Sequence, residues 1–280
     1  MSFLEIKNLT KKYGNLKALD GINLSFPRGR IIGLLGKNGA GKSTLMRCML
    51  GFLKYKGEIS FLGKPVLRND TNIFKKVAFI PDVSGLDDRL TVKQSIDFVS
   101  RVNPSWKEST ALNLLSKSKL PLKQKIGNLS KGMKTKLYLL LTLSLDVDLL
   151  LLDEPTLGLD IEFRKEFFNT ILGEFFDDNK TIIISTHQVE EIEHILQDIV
   201  FMNDGKVLLH ENIDEMKSKY SNIIVPVERR KELMDSNARQ INYMLGKISA
   251  IVSSDVKIDG AEYKRPLLSD LFLAELGGER

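Results

Sequence analysis

A glycine-rich run offers the clearest chemistry in this chain. It consists of Gly36, Lys37, Asn38, Gly39, Ala40, Gly41, Lys42, Ser43 and Thr44. An apolar run at 31–35 precedes it and a helical pattern at 45–50 follows, which is the strand–loop–helix context of a phosphate-binding loop. The glycines let successive backbone N–H groups point at phosphate oxygens, and the helix N-terminus adds partial positive charge. The run predicts a nucleoside triphosphate site, with Lys42 at the β- and γ-phosphates and Ser43 at Mg²⁺.

Two adjacent acids end a second apolar run, at 149–152, and supply the other half of such a site. An all-apolar strand is typical of a sheet covered on both faces, and ligands bind at the carboxyl ends of its strands. One acid can serve Mg²⁺ while the next orients or deprotonates the attacking water. We assign Asp153 to the metal and Glu154 to the base. Taken without the phosphate-binding loop, the same pair could simply be an acidic helix cap.

Two further segments have both a functional and a structural interpretation. Ser130 is a good N-cap and Gly132 allows close backbone approach, but a capped helix would use the same residues. His187 follows an apolar strand at 181–185, so it would lie near the γ-phosphate as a sensor or hydrogen-bonding partner. A surface histidine in a loop is the alternative.

The amino-acid composition limits the classes of protein to which this chain can belong. The 280 residues are 42% hydrophobic and 28% charged, which suits one large or two smaller globular domains. The single cysteine, Cys48, fits a reducing compartment and is expected to be a buried apolar residue. We expect no signal peptide, because the first seven residues lack a long apolar core. We expect no membrane span, because Asp146 and Asp148 interrupt the most apolar region at 137–152. The net charge of +5 is mild, and no zinc-finger or RNA-binding signature points to nucleic acid as a partner.

Hydrophobic periodicity predicts an alternation of strands and helices, with a turn at 10–15 and an antiparallel pair before the core strands. The predicted strands are 3–9, 16–26, 31–35, 56–63, 77–80, 149–153, 181–185, 199–202, 206–209, 222–227 and 247–252. The predicted helices are 91–99, 108–118, 161–176, 188–196, 229–244 and 267–276, the first with Thr91 as N-cap.

These motifs, in this order, resemble those of the ATP-binding subunit of ABC transporters, over about residues 3–210. The resemblance implies an α/β fold. It has a P-loop NTPase core with a mainly parallel sheet, an N-terminal antiparallel β-subdomain and a helical subdomain at about 83–145. We therefore expect an ATP-binding domain at 1–219 and a small C-terminal appendage at 220–280 that could contact a dimer partner.

The resemblance also assigns roles residue by residue. Tyr13 matches the aromatic residue that stacks on adenine, and His187 matches the switch histidine. Ser130 and Gly132 match the signature motif that contacts the γ-phosphate bound to the other subunit. Asp160 matches the loop that crosses the dimer interface.

The chain departs from the family pattern at four positions. Asp82 replaces a glutamine that, in the family, contacts Mg²⁺ and couples the site to the membrane subunit. An aspartate can still bind the metal. The alternative is that Asp82 is simply a turn-forming acid after proline. Lys131 and Met133 replace the usual glycine and glutamine of the signature motif, and Lys37 replaces a common proline. With these substitutions the chain resembles the subfamily of bacterial exporters of peptides, drugs or lantibiotics, whose permeases are separate chains.

The resulting expectation is an ATPase with ATP and Mg²⁺ as cofactors. Two such subunits would enclose two ATP molecules, bound to an integral membrane permease at the cytoplasmic face of the cell membrane. One alternative is a soluble ABC-type ATPase acting on nucleic acid or the ribosome, but two ATP modules or a long coiled coil, usual in such proteins, are not apparent here. The other is a nucleotide-dependent switch with low turnover.

Overall fold

The structure is a computed structural model that describes residues 3–82 and 85–277. Residues 83 and 84, where the predicted helical subdomain begins, lie outside the described residues. The strands are β1 (Leu4–Tyr13), β2 (Leu16–Phe26), β3 (Ile31–Leu35), β4 (Lys56–Phe61), β5 (Lys64–Pro65), β6 (Val77–Ile80), β7 (Leu149–Asp153), β8 (Thr181–Thr186), β9 (Asp198–Asn203), β10 (Lys206–Asn212), β11 (Tyr220–Pro226), β12 (Arg239–Met244), β13 (Lys247–Ser253) and β14 (Glu262–Lys264). The α-helices are α1 (Lys42–Met49), α2 (Val92–Val102), α3 (Glu108–Ser118), α4 (Lys131–Leu143), α5 (Ile161–Glu174), α6 (Ile213–Lys219), α7 (Arg230–Asp235) and α8 (Leu268–Gly277).

A six-stranded sheet in the order β10-β9-β3-β8-β7-β6 forms the centre of the molecule. Strands β6, β7, β8, β3 and β9 run parallel, and only β10 is antiparallel to its neighbour. Alternate residues of β7 enter different apolar clusters: Leu150 and Leu152 pack on one face of the sheet, Leu149 and Leu151 on the other. Both faces of this strand are therefore buried, which explains why its sequence is apolar without interruption.

The N-terminal antiparallel sheet has the order β2-β1-β4-β5. Strand β1 extends to Tyr13, so the turn predicted at 10–15 is wrong in its first four residues. The reversal is confined to Gly14 and Asn15, and Gly14 supplies the positive φ of +57° that the tight turn needs. Pairing with β2 stabilises residues 10–13 as a strand. The local hydrophobic pattern does not predict this pairing, because it depends on residues in another strand.

Helices α2, α3 and α4 form the helical part of the chain. Helix α3 has the predicted bounds, and α2 begins after Thr91 as predicted. Thr91 Oγ1 accepts a hydrogen bond from the Gln94 backbone N–H at 3.1 Å, and Gln94 Oε1 accepts from the Thr91 N–H at 2.8 Å. This reciprocal capping box satisfies two backbone donors at the helix start.

The helix predicted at 188–196 is wrong. Two single 3₁₀ turns, Val189–Glu191 and Glu193–Ile195, occupy the segment instead. Each turn forms an ion pair with a different helix: Glu191 with Arg164 of α5, and Glu193 with Lys217 of α6. These contacts outweigh the local preference for a continuous helix.

The helix predicted at 229–244 is wrong in its second half. Helix α7 ends at Asp235, and Asn237 adopts a left-handed backbone with a φ of +55°. The chain then continues as β12, which pairs antiparallel with β13. The sheet pairing decides this segment, because its sequence alone is compatible with a helix.

The C-terminal region is a four-stranded antiparallel sheet in the order β12-β13-β11-β14, with an apolar cluster of its own. Helix α8 joins it to the ATP-binding part, because Leu268 and Leu271 belong to the main apolar cluster. The Phe272 ring lies edge-on to Phe201 of β9 at 5.0 Å between centroids. None of the helices in the described ranges has the length and hydropathy needed to cross a bilayer.

We expect Thr91→Ala to lower the free energy of unfolding by about 1 kcal/mol, because it removes the cap of α2. Urea denaturation followed by circular dichroism measures the change. Thr91→Ser is the control, since serine caps equally well. An equal loss in both variants would contradict a capping role for the hydroxyl.

Candidate functional site

The glycine-rich loop folds around the Lys42 side chain, the first residue of α1. Lys42 Nζ donates to the Gly36 carbonyl oxygen at 2.6 Å and to that of Lys37 at 3.3 Å. The side chain is only 5% exposed. A methyl group on Gly36 would lie 2.5 Å from the Met202 carbonyl oxygen, so the loop needs glycine there for a steric reason.

Gly41 is required for two reasons. Its φ is +104°, a region that L side chains rarely adopt, and a Cβ there would lie 2.6 Å from the Ala18 carbonyl oxygen. Gly39 has a φ of +86° but open space around it. The loop is also supported from outside, because the Gly205 backbone N–H donates to the Ala40 carbonyl oxygen at 3.1 Å.

Asp153 lies at the carboxyl end of β7, facing the start of α1. Its Oδ1 accepts hydrogen bonds from Ser43 Oγ at 2.9 Å and from Ser185 Oγ at 2.6 Å. The residue is 1% exposed. These two hydroxyl donors satisfy the carboxylate of a residue that is otherwise buried.

Glu154 lies between the loop lysine and the histidine. Its Oε2 is 2.9 Å from His187 Nδ1, and its Oε1 is 3.3 Å from Lys42 Nζ. Oε1 is buried, and within the described part of the chain no donor is aligned to hydrogen-bond it. The residue has a positive φ of +47°, a conformation that is uncommon for glutamate and typical of functional sites.

An open cleft brings together most of the predicted site residues. Those that line it are Tyr13, Asn38, Gly39, Ala40, Gly41, Lys42, Ser43, Thr44, Asp82, Glu154 and His187. The residues that sequence reasoning missed are Leu16, Lys17, Ala18, Leu157, Asp204 and Gly205. The last two form the β9–β10 turn, which is visible in the sequence as a hairpin but carries no signal of proximity to the loop.

Tyr13 is 46% exposed at the rim of the cleft, with Lys11 Nζ 4.8 Å from its ring centroid. Its open ring face is available to a base. Asp82, which follows β6, is exposed and also lines the cleft.

Six predicted residues do not line this cleft: Gly36, Lys37 and Asp153 adjoin residues that do, whereas Ser130, Gly132 and Asp160 belong to other segments of the chain. Ser130 caps α4, its Oγ accepting from the Met133 N–H at 3.2 Å, and Asp160 caps α5, its Oδ1 accepting from the Phe163 N–H at 2.8 Å. Both residues are exposed. Gly132 faces Phe163, whose ring would lie 3.3 Å from an added Cβ. A single chain therefore does not bring these residues to its own phosphate-binding loop.

Lys131 ties the Ser130 loop to the cleft. Its Nζ donates to the Leu157 carbonyl oxygen at 2.5 Å. Leu157 lines the cleft, and its backbone N–H donates to the Glu154 carbonyl oxygen at 3.2 Å. The residue that replaces the usual glycine thus links the two functional loops of one chain.

Cys48 is fully buried in α1, behind the phosphate-binding loop. Burial raises the pKa of its thiol to about 11. At neutral pH it is a protonated, apolar packing residue, as the sequence predicts.

The fold and the cleft define a nucleoside triphosphatase with a phosphate-binding loop. Residues 19–157 match the family described as ABC transporter. The lantibiotic transport ATP-binding protein SrtF of Streptococcus pyogenes is 35% identical over 81% of this chain and 100% of its own length. The SkfA peptide export ATP-binding protein SkfE of Bacillus subtilis is 35% identical over 74% of this chain and 88% of its own.

A solved structure of an ATP-binding subunit of an ABC transporter superposes with a TM-score of 0.68 and 26% identity, over 77% of this chain and 92% of that one. The chain belongs to the ATP-binding proteins of ABC transporters, a family that binds and hydrolyses ATP. The predicted family, fold class and ATPase activity are therefore confirmed.

We expect Gly41→Ala to lower the free energy of unfolding by about 1–3 kcal/mol, since it combines backbone strain with a clash against a carbonyl oxygen. Gly39→Ala is the matched control: its φ is also positive but its surroundings are open, so the loss should be smaller. Thermal unfolding without nucleotide measures both variants. A larger loss at Gly39 would contradict the clash.

Proposed function

We propose that the chain powers export of a peptide-type substrate through a separately made membrane permease, and that Glu154 is its catalytic base. The names of SrtF and SkfE support a lantibiotic or peptide as cargo. The position of Glu154 supports its assignment as the general base. Its buried Oε1 has no aligned hydrogen-bond donor in the described residues, and its Oε2 contacts His187. The named relatives are transport proteins and give no support to action on nucleic acid or the ribosome.

The site residues fit a triphosphate with Mg²⁺. Lys42 and the backbone N–H groups of the loop would bind the phosphates. Ser43 and Asp153, with Asp82 from the lining of the cleft, supply the hydroxyl and carboxylate oxygens that Mg²⁺ prefers. When bound, Mg²⁺ neutralises charge on the phosphate oxygens.

Glu154 would accept a proton from the attacking water. The water oxygen then bonds to the γ-phosphorus while the bond between the γ-phosphorus and the bridging β-phosphate oxygen breaks. His187 would hold the carboxylate in place through Nδ1, at 2.9 Å. Lys42 would turn from Glu154 to the phosphates when ATP binds, which frees the carboxylate for the water. Tyr13 would stack on adenine with its exposed ring.

A second ATP-binding subunit would complete each site. Ser130 and Asp160 are exposed and lie outside their own chain's cleft, which suits contacts with the nucleotide and loop of a partner. Ser130 Oγ and the Gly132 backbone would meet the partner's γ-phosphate. ATP would then hold two chains together and ADP would not, so hydrolysis separates them.

The helical subdomain, about residues 83–145, would receive the permease, and the chain would lie at the cytoplasmic face of the cell membrane. Phe98 and Val102 on α2 are 60% and 59% exposed. One turn apart on the same helix, they offer an apolar surface to a membrane partner.

We expect Glu154→Gln to retain ATP binding and to lower turnover by about two to four orders of magnitude, because it removes the general base but keeps the side-chain shape. ATP titration and phosphate release measure the two effects, and size-exclusion chromatography with ATP should show a stable dimer. Turnover at the wild-type rate would refute the base assignment. Wild-type turnover equally low would favour the nucleotide-dependent switch.

Complementation tests the shared site in a homodimer. Ser130→Asp keeps the cap of α4 but places a negative charge at the γ-phosphate, and Lys42→Ala removes the phosphate ligand. Each variant alone should be inactive. Mixed dimers contain one site with both wild-type residues, so mixing the two proteins should restore phosphate release. Sites built within one chain would stay inactive in the mixture.

A further inference from the structure

The charge of this chain is unevenly distributed along its length. Residues 1–80 contain fifteen Lys or Arg and four Asp or Glu, a net charge of +11, whereas residues 81–280 carry −6. A modest total of +5 therefore conceals a strongly basic N-terminal part, which is the kind of asymmetry associated with binding to an anionic surface.

Some of this positive charge is neutralised within the fold. Arg28 and Lys76 pair with Asp148, Arg30 with Asp198, and Lys42 with Glu154. Lys54, Lys64 and Arg68 are different: all three are exposed, and no carboxylate within the described ranges lies in ion-pair distance of them. Their charges remain available to a partner.

Two exposed leucines, one in the β4–β5 turn and one just after β5, line the same clefts as these three cations. One cleft is lined by Lys54, Leu67 and Arg68, and a neighbouring cleft by Leu62, Lys64 and Leu67. Leu67 is common to both clefts and is 60% exposed, and Leu62 is 41% exposed. We call this surface, formed by Lys54, Leu62, Lys64, Leu67 and Arg68, the basic–apolar face.

Leu62 occupies a position that does not favour leucine. It is the first residue of the turn between β4 and β5, with a φ of +50°, followed by Gly63 with a φ of +74°. Such hairpin turns prefer asparagine or glycine, and a bulky residue there carries strain. An exposed leucine held in this conformation indicates a role outside the stability of the fold.

Acids are few around this face. Glu5 on β1 and Glu58 on β4 line the cleft of Lys54. Glu5 forms an ion pair with Lys7 at 3.2 Å, and Glu58 lies opposite Lys7 in the strand pairing. Asp70 lines the cleft of Lys64, but its Oδ1 accepts from the Asn72 backbone N–H at 2.9 Å as a helix cap. The potential of the face is therefore positive.

We propose that the basic–apolar face binds the phosphate headgroups of anionic lipids at the membrane surface. Cations flanking exposed apolar side chains match the boundary between lipid headgroups and acyl chains, which accepts both. A nucleic acid backbone would use the cations but would leave the two leucines in water. The face suits the membrane location proposed above, yet its binding requires neither ATP nor the permease, so either proposal can fail without the other.

Co-sedimentation of the full chain with vesicles tests the charges. Wild-type protein should bind phosphatidylcholine vesicles that contain phosphatidylglycerol, less strongly as salt rises, and should not bind pure phosphatidylcholine. Lys64→Glu with Arg68→Glu should lower the partition coefficient by about thirtyfold or more. Lys231→Glu with Lys247→Glu changes the net charge equally at exposed sites of the C-terminal region, so it is the matched control and should bind nearly as wild type.

Leu62→Asn tests the apolar part of the face. It should lower vesicle binding by about three- to tenfold and leave the salt dependence unchanged, because it removes apolar contact but no charge. It should also raise resistance to urea, since asparagine prefers this turn. Leu245→Ser, at an exposed turn of the C-terminal sheet, is the control and should leave binding unchanged.

Any of the following results with vesicles would overturn the proposal. They are absence of wild-type binding to anionic vesicles at low salt, equal binding to pure phosphatidylcholine, an equal loss in the Lys231 and Lys247 control, and unchanged binding in Leu62→Asn. Duplex DNA and poly-glutamate serve as probes of the other anionic partners. Binding to either that depends on Lys64 and Arg68, without vesicle binding, would also overturn it. Retained ATP hydrolysis shows that each variant is folded.

Discussion

The site depends on the adjacency of three parallel strands, with β8 between β3 and β7. Each strand ends in a different functional segment: β3 in the phosphate-binding loop, β7 in Asp153 and Glu154, and β8 just before His187. Because parallel strands in register end at one edge of a sheet, the three segments meet there. Backbone pairing buried between two apolar clusters holds them in place, so the buried sheet positions the chemistry.

Charge balance at this edge explains the geometry around Glu154. Lys42 is almost fully buried and needs a counterpart, which it finds in two loop carbonyls and the Glu154 carboxylate. Glu154 in turn contacts His187 and keeps one oxygen without an aligned donor among the described residues. A triphosphate carries the negative charge that can replace Glu154 as the counterpart of Lys42, so nucleotide binding and release of the base are linked through one ammonium group.

The same chain separates its charges on a larger scale. The first 80 residues carry a net charge of +11, whereas residues 81–280 carry −6. Lys131 adds a local connection, since it joins the Ser130 loop to the segment that follows Glu154. The sequence marks Lys131 only as a departure from the signature motif, because its contact with Leu157 depends on the tertiary structure.

The sequence by itself determined the phosphate-binding loop, the paired acids and the main strands. In these segments local pattern and tertiary environment agree: glycines are needed where the backbone turns sharply, and uninterrupted leucines are needed where both sheet faces are covered. Only the tertiary structure decided that the β9–β10 turn supports the loop, that 188–196 forms separate turns and that 239–244 is a strand. Those outcomes depend on contacts between residues far apart in the chain, such as the ion pair of Lys217 with Glu193 and the pairing of β12 with β13. Local periodicity contains no information about such partners, and their contacts outweigh propensities of less than about 1 kcal/mol per residue.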